Sequence, residues 1–134
     1  MDKVIGIDLG GTSIYGGLID KEGNILKRAS RDTKSAKGRK EVLKLISETI
    51  KELIQEDVLA IAIGSPGFIN SEEGKVLEVG GNIEGWANTD IKGELSKEFP
   101  NTPIFVENDA NVAALCEKWI GAAKDFKSFV MITL

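Results

Sequence analysis

The sequence contains no histidine and a single cysteine, Cys116. Without imidazole, any general base must be a carboxylate, a lysine, the tyrosine or that one thiol. One cysteine excludes a disulfide within the chain and suits a reducing compartment. An excess of positive charge is also lacking: 17 Lys and Arg stand against 21 Asp and Glu, a net charge of −4. That balance argues against a nucleic-acid partner, because such binding rests on surplus cations at the phosphates. No apolar run approaches the roughly 18 residues of a membrane span. Met1-Asp2-Lys3 runs straight into a strand pattern, unlike a signal peptide. The expectation is a cytoplasmic protein with no membrane partner, and no repeat or low-complexity segment is visible.

What remains is material for about one domain: 134 residues, 42% hydrophobic and 28% charged. Lys3–Leu9 and Ser13–Ile19 read as a hairpin of strands around Gly10-Gly11, and a third strand follows near Ile25–Ser30. Such neighbours pair antiparallel. Lys34–Lys40 is a basic loop read as wet surface. Val42, Leu43, Ile46, Ile50, Leu53 and Ile54 recur at helical spacing. Val58–Ile63, uninterrupted and apolar, reads as a central strand covered on both faces by helices. A hairpin around Ser71–Lys75, a helix over Asp90–Phe99 and a strand at Ile104–Val106 follow. Val112, Leu115, Cys116, Trp119 and Ile120 form an apolar helical stripe that predicts Cys116 in the core. Phe126–Leu134 is a last strand-like run. Three antiparallel strands followed by helix–strand alternation make this an α/β sheet with helices on its faces.

Four stretches are candidates for chemistry. In "GIDLGGTSI", residues 6–14, Gly10 and Gly11 leave room for a phosphate and permit positive φ. The turn's N–H groups can converge on an anion, and Thr12 adds a hydroxyl. Asp8, just upstream, suits Mg²⁺. The stretch is not a P-loop, and the glycines have the alternative role of serving only the hairpin. "GSPGFIN", residues 64–70, ends the central strand where α/β sheets tend to open a cleft; a plain Pro-Gly turn is the alternative. "GGNIEGWAN", residues 80–88, offers Asn82 to a polar ligand, or is a surface loop anchored by Trp86.

"VENDAN", residues 106–111, packs Glu107, Asn108, Asp109 and Asn111 into one strand-to-helix corner. A helix start needs one capping oxygen, which Asn108 or Asp109 supplies. The surplus is what a sugar hydroxyl requires: an amide to orient it and a carboxylate to take its proton. The helix dipole favours an ionised Asp109. A Glu107/Asp109 pair of the glycosidase kind is disfavoured, because the two need not converge on one bond.

In their order, "DLGGT", "GSPG", "GNIEGW" and "ENDAN" resemble the ROK family of sugar kinases and sugar-responsive repressors, over Val4 to Leu134. The resemblance implies a ribonuclease H-like, actin-like ATPase domain over residues 1–123, a mixed sheet of three antiparallel and then parallel strands flanked by helices. Residues 124–134 then form the first strand of a truncated C-terminal domain. It implies that Asp8, Gly10, Gly11 and Thr12 bind ATP, with Asp8 facing Mg²⁺. Gly67, Asn82, Asn108 and Asp109 bind the sugar, and Asp109 is the catalytic base. The implied reaction carries the γ-phosphoryl group of ATP to a hexose hydroxyl, the 6-hydroxyl of glucose or an N-acetylhexosamine. The alternative is the sugar-sensing domain of a ROK repressor. Zinc, if any, belongs to the missing second domain; the full-length protein is expected to be a homodimer and the fragment inactive. Where family members often carry Pro in the sugar loop, this chain has Gly81 and Glu84.

Overall fold

Alternation along the first strand sets up everything else. In β1 (Lys3–Leu9), Ile5, Ile7 and Leu9 are buried, while Val4 and Asp8 face outward. β2 (Ser13–Asp20) runs back antiparallel with Ile14 and Leu18 on the same inner face, and β3 (Ile25–Asp32) adds a third antiparallel strand. Burial of alternate branched aliphatics is the main driving force, at roughly 25 cal/mol per Å² removed from water. The computed structural model describes residues 1–79 and 81–134. The expectation for the loop at Gly80 therefore lies outside the described residues at that one position.

α1 (Arg39–Leu53) covers the inner face with Val42, Leu45, Ile46, Ile50 and Leu53. The chain then enters β4 (Val58–Ser65), parallel to β1. β5 (Phe68–Asn70) and β6 (Lys75–Glu78) make the small hairpin, and α2 (Ile91–Glu98) starts at Asp90, whose carboxylate accepts from Gly93 N at 2.9 Å. β7 (Ile104–Asn108) lies parallel to β4, and α3 (Asp109–Ile120) follows without a linker. The sheet order is β3-β2-β1-β4-β7, so β4 is interior as expected. Among the described residues no helix is long and apolar enough to cross a membrane.

The structure corrects three expectations. β4 is covered on one face only: Ile61 and Ile63 are buried, but Ala62 between them is exposed. α3 buries no residue, so Cys116 is exposed rather than in the core. The apolar stripe of α3 does turn toward the open sheet face, but it stands off. Val112 approaches Gly64, and Trp119 and Ile120 approach Gly23. Between them lies a groove of about 690 Å³ lined by Gly6, Gly17, Ile19, Phe105 and Leu115, among others. Finally, residues 126–134, expected as a strand, pair with no strand among the described residues and lie exposed. A strand needs a ladder partner, and none of the described strands supplies one.

Candidate active site

β1, β4 and β7 are parallel neighbours, so their C-terminal ends share one edge of the sheet. The register sets Asp8 opposite Gly64 and Gly64 opposite Glu107; one step further, Ser65 lies opposite Asn108. The "DLGGT", "GSPG" and "ENDAN" stretches thus leave the sheet side by side. Ligands of open α/β sheets bind at this kind of edge.

The polar corner resolves into separate jobs. Asn108 is the N-cap of α3: its Oδ1 accepts from Ala110 N at 3.0 Å and Asn111 N at 3.2 Å. Its Nδ2 donates to Gly67 O at 2.8 Å, which ties the corner to the Pro-Gly turn. An amide nitrogen carries two hydrogens, so one N–H of Asn108 has no acceptor among the described residues. Glu107 Oε1 accepts from Asn108 N at 2.7 Å and from Asn111 Nδ2 at 3.3 Å. Glu107 and Asn111 therefore brace the corner. Asp109 Oδ1 accepts from Ala110 N at 2.9 Å, while its Oδ2 accepts no hydrogen bond among the described residues. Half-buried and pinned through one oxygen, Asp109 presents the other.

Asp109 sits beside Asp8. Its Cα is 3.5 Å from where a Cβ on Gly64 would lie, and Gly64 is the register partner of Asp8. Loss of solvent around the Asp8 carboxyl, and then the charge of Asp109, push the Asp8 pKa above its ordinary value. Gly67 is glycine for a reason that sequence alone leaves open: its φ is +99°, and a Cβ there would fall 2.4 Å from Glu78 O.

In the turn after β1, neither Gly10 nor Gly11 adopts positive φ. Gly10 N–H donates to Ser13 O at 2.9 Å, and a Cβ on Gly10 would meet that oxygen at 3.0 Å. The glycines supply closeness, not a left-handed bend. Thr12, between them and β2, is exposed. Thr33 holds the turn from behind: its hydroxyl donates to Gly10 O at 2.7 Å and its N–H to Thr12 O at 2.9 Å.

Asn82 is exposed and packs near Gly11, whose absent Cβ would sit 3.6 Å from the Asn82 Cβ. The loop carrying it is anchored by Trp86, fully buried, whose indole N–H donates to Ser65 Oγ at 2.9 Å. Arg39 adds hydrogen bonds to Gly85 O and Ala87 O. Sequence reasoning missed Ser65, Thr33 and Arg39. A buried tryptophan N–H must find a partner, which is a signal for Ser65. Arg39 lay within a stretch read as wet surface, and nothing local marked it.

Asp8, Gly64, Gly67, Asn108 and Asp109 thus converge on one end of the sheet, and Asn82 joins them across Gly11. Three parallel strand ends with a glycine turn on one side and a carboxylate at a helix start on the other define a domain of the ribonuclease H-like, actin-like ATPase class. The chain belongs to the ROK family, whose family model matches residues 4–134. It is 41% identical over 133 residues to the glucokinase of Thermotoga maritima, covering 98% of this chain and 41% of that protein. The structure superimposes with a TM-score of 0.83, at 31% identity, on a ROK family glucokinase from Streptomyces griseus in complex with glucose and AMPPNP; it covers 92% of this chain and 38% of that one. It is also 32% identical over 125 residues to the xylose repressor of Caldicellulosiruptor bescii, covering 89% of this chain and 31% of the repressor. The chain spans about two fifths of the length of the glucokinases it matches.

Proposed function

We propose that this chain supplies the first half of an ATP-dependent sugar kinase, which moves the γ-phosphoryl group of ATP to a hexose hydroxyl. The observation that carries the reading is the pairing of Asp109 with Asp8 at the shared strand edge. In this reading Asp109 Oδ2, without a partner among the described residues, takes the proton of the attacking hydroxyl. The unused N–H of Asn108 donates to a neighbouring sugar oxygen, and Gly67 and Asn82 line the same pocket. The reaction asks the protein chiefly for positioning and charge neutralisation. The 6-hydroxyl of glucose or of an N-acetylhexosamine is the acceptor.

Gly10, Gly11 and Thr12 form the nucleotide turn. Mg²⁺ fits here on chemical grounds: two carboxylates lie side by side, and burial and then the charge of Asp109 raise the Asp8 pKa, which a cation between them would offset. Among the described residues no cluster of three His, Cys, Asp or Glu is poised to bind a metal alone. Mg²⁺ commonly binds one or two carboxylates together with substrate phosphates, so Asp8 is the residue to hold it. When bound, the cation neutralises charge on the phosphoryl group. Residues 124–134 open the second domain in this reading, and residues 1–134 alone do not turn over, because catalysis requires closure of two lobes.

A second reading, the sugar-sensing half of a repressor, is favoured by the likeness to the xylose repressor. Incubating the full-length protein with ATP and glucose, N-acetylglucosamine or N-acetylmannosamine separates the two. Formation of a sugar phosphate is expected. Sugar binding without phosphorylation of any of the three supports the sensor instead.

A further inference from the structure

The basic segment after β3 was read from sequence as wet surface, and the structure gives two of its lysines a specific neighbour. Lys34, Ser35, Ala36 and Lys37 line one depression of about 410 Å³ together with Gly11 and Thr12. The segment is fixed there from both sides. The buried Thr33 just ahead of it bonds to Gly10 O and Thr12 O, and Ser35 O accepts from Glu84 N at 3.2 Å. Lys34 itself is held at φ +52°, a left-handed conformation that is uncommon for a side-chain-bearing residue. A short 3-10 turn, Ser35–Lys37, then places Lys37 beside it.

Neither ammonium forms an ion pair or a side-chain hydrogen bond among the described residues; Lys3, Lys51, Lys75 and Lys97 pair with carboxylates, and of the other unpaired lysines, such as Lys44 and Lys92, none lines this depression. In a chain of net charge −4, two unpaired cations thus share a hollow with the turn assigned to phosphate. Lysine binds phosphate as a point charge and needs no fixed fork geometry, so exposed ammoniums on flexible stems suffice.

We propose that Lys34 and Lys37 are phosphate-binding residues, gripping a phosphate group of a ligand seated against Gly11 and Thr12. The inference rests on the nucleotide-turn part of the proposed function, and its test does not require sugar turnover. The full-length protein is titrated with inorganic tripolyphosphate, standing for a nucleotide tail, and separately with glucose 6-phosphate, standing for a sugar phosphate. Each titration is repeated on Lys34→Gly/Lys37→Gln, where glycine also relieves the left-handed backbone, and on Lys34→Arg/Lys37→Arg. Affinity for at least one of the two ligands is expected to fall about tenfold in the first variant. It should return in the arginine variant, and its salt dependence should weaken when the cations are removed. The ligand that responds identifies the source of the phosphate. Equal affinity of wild type and Lys34→Gly/Lys37→Gln for both ligands, or no measurable binding of either ligand by the wild type, overturns the proposal. If the affinity falls as expected yet no hexose is phosphorylated, the lysine site stands and the kinase reading falls.

Discussion

The two faces of the central sheet are built from the same strands and finished differently. On the face under α1, Ile5, Ile7, Leu9, Ile14, Ile61, Ile63, Ile104 and Val106 are all at most 4% exposed. On the other, the alternating positions are Gly6, Asp8, Tyr15, Gly17, Ala62, Gly64 and Phe105, which are small, polar or exposed. α3 crosses that face without burying a residue. Stability therefore resides on the first face, and the candidate chemistry sits on the second, where Asp8 and the start of α3 meet over Gly64. A carboxylate raised above its ordinary pKa opposes stability, and the well-packed face is what offsets it.

The largest effect that sharpens this contrast comes from Ile61→Ala, on the packed face of β4. It should lose about 2–5 kcal/mol in denaturant unfolding, through lost burial and the cavity left behind. Asp8→Asn should act in the opposite direction. In the folded chain Asp8 holds its proton more tightly than in the unfolded chain. Stability therefore falls as pH rises between the ordinary carboxylate value and the raised one, and the full penalty persists above that interval. Asp8→Asn should raise Tm at neutral pH, and the gain should vanish in acid below the ordinary value, where both forms are uncharged. The same substitution removes the candidate cation ligand, so it should also abolish any rise in Tm on adding Mg²⁺. The smallest effect belongs to Phe105→Ser. Phe105 lies opposite Ala62 on the open face and is 60% exposed, so the change should stay within about 0.5 kcal/mol. A loss as large as that of Ile61→Ala would erase the distinction between the faces.

This division was only half legible in the sequence. Strand alternation and helical spacing are local, and β1, β2, β3, α1, α2 and β7 lie close to where those patterns put them. The "ENDAN" corner stands out in the sequence as a candidate site because it holds more polar groups than a cap requires. Periodicity identified the apolar stripe of α3 but is silent on whether that stripe finds a partner, so Cys116 was misplaced. The run at residues 126–134 had the composition of a strand, yet strand formation depends on a neighbour that composition does not encode. Gly10 and Gly11 permit positive φ but do not use it, while Gly67 does, because the glycine pattern shows where space is needed and not which dihedral is used. Arg39 escaped notice because its partners are backbone carbonyls almost fifty residues away in sequence.

The central claim is that Asp109 takes a proton from a sugar hydroxyl beside Asp8. Its most direct test is Asp109→Asn in the full-length protein, with kcat and sugar Kd measured together. A positioned base contributes roughly 10²–10⁴-fold, so kcat should fall by that factor while sugar Kd moves by less than about tenfold. Turnover within a few-fold of the parent would mean that Asp109 serves only the start of the helix.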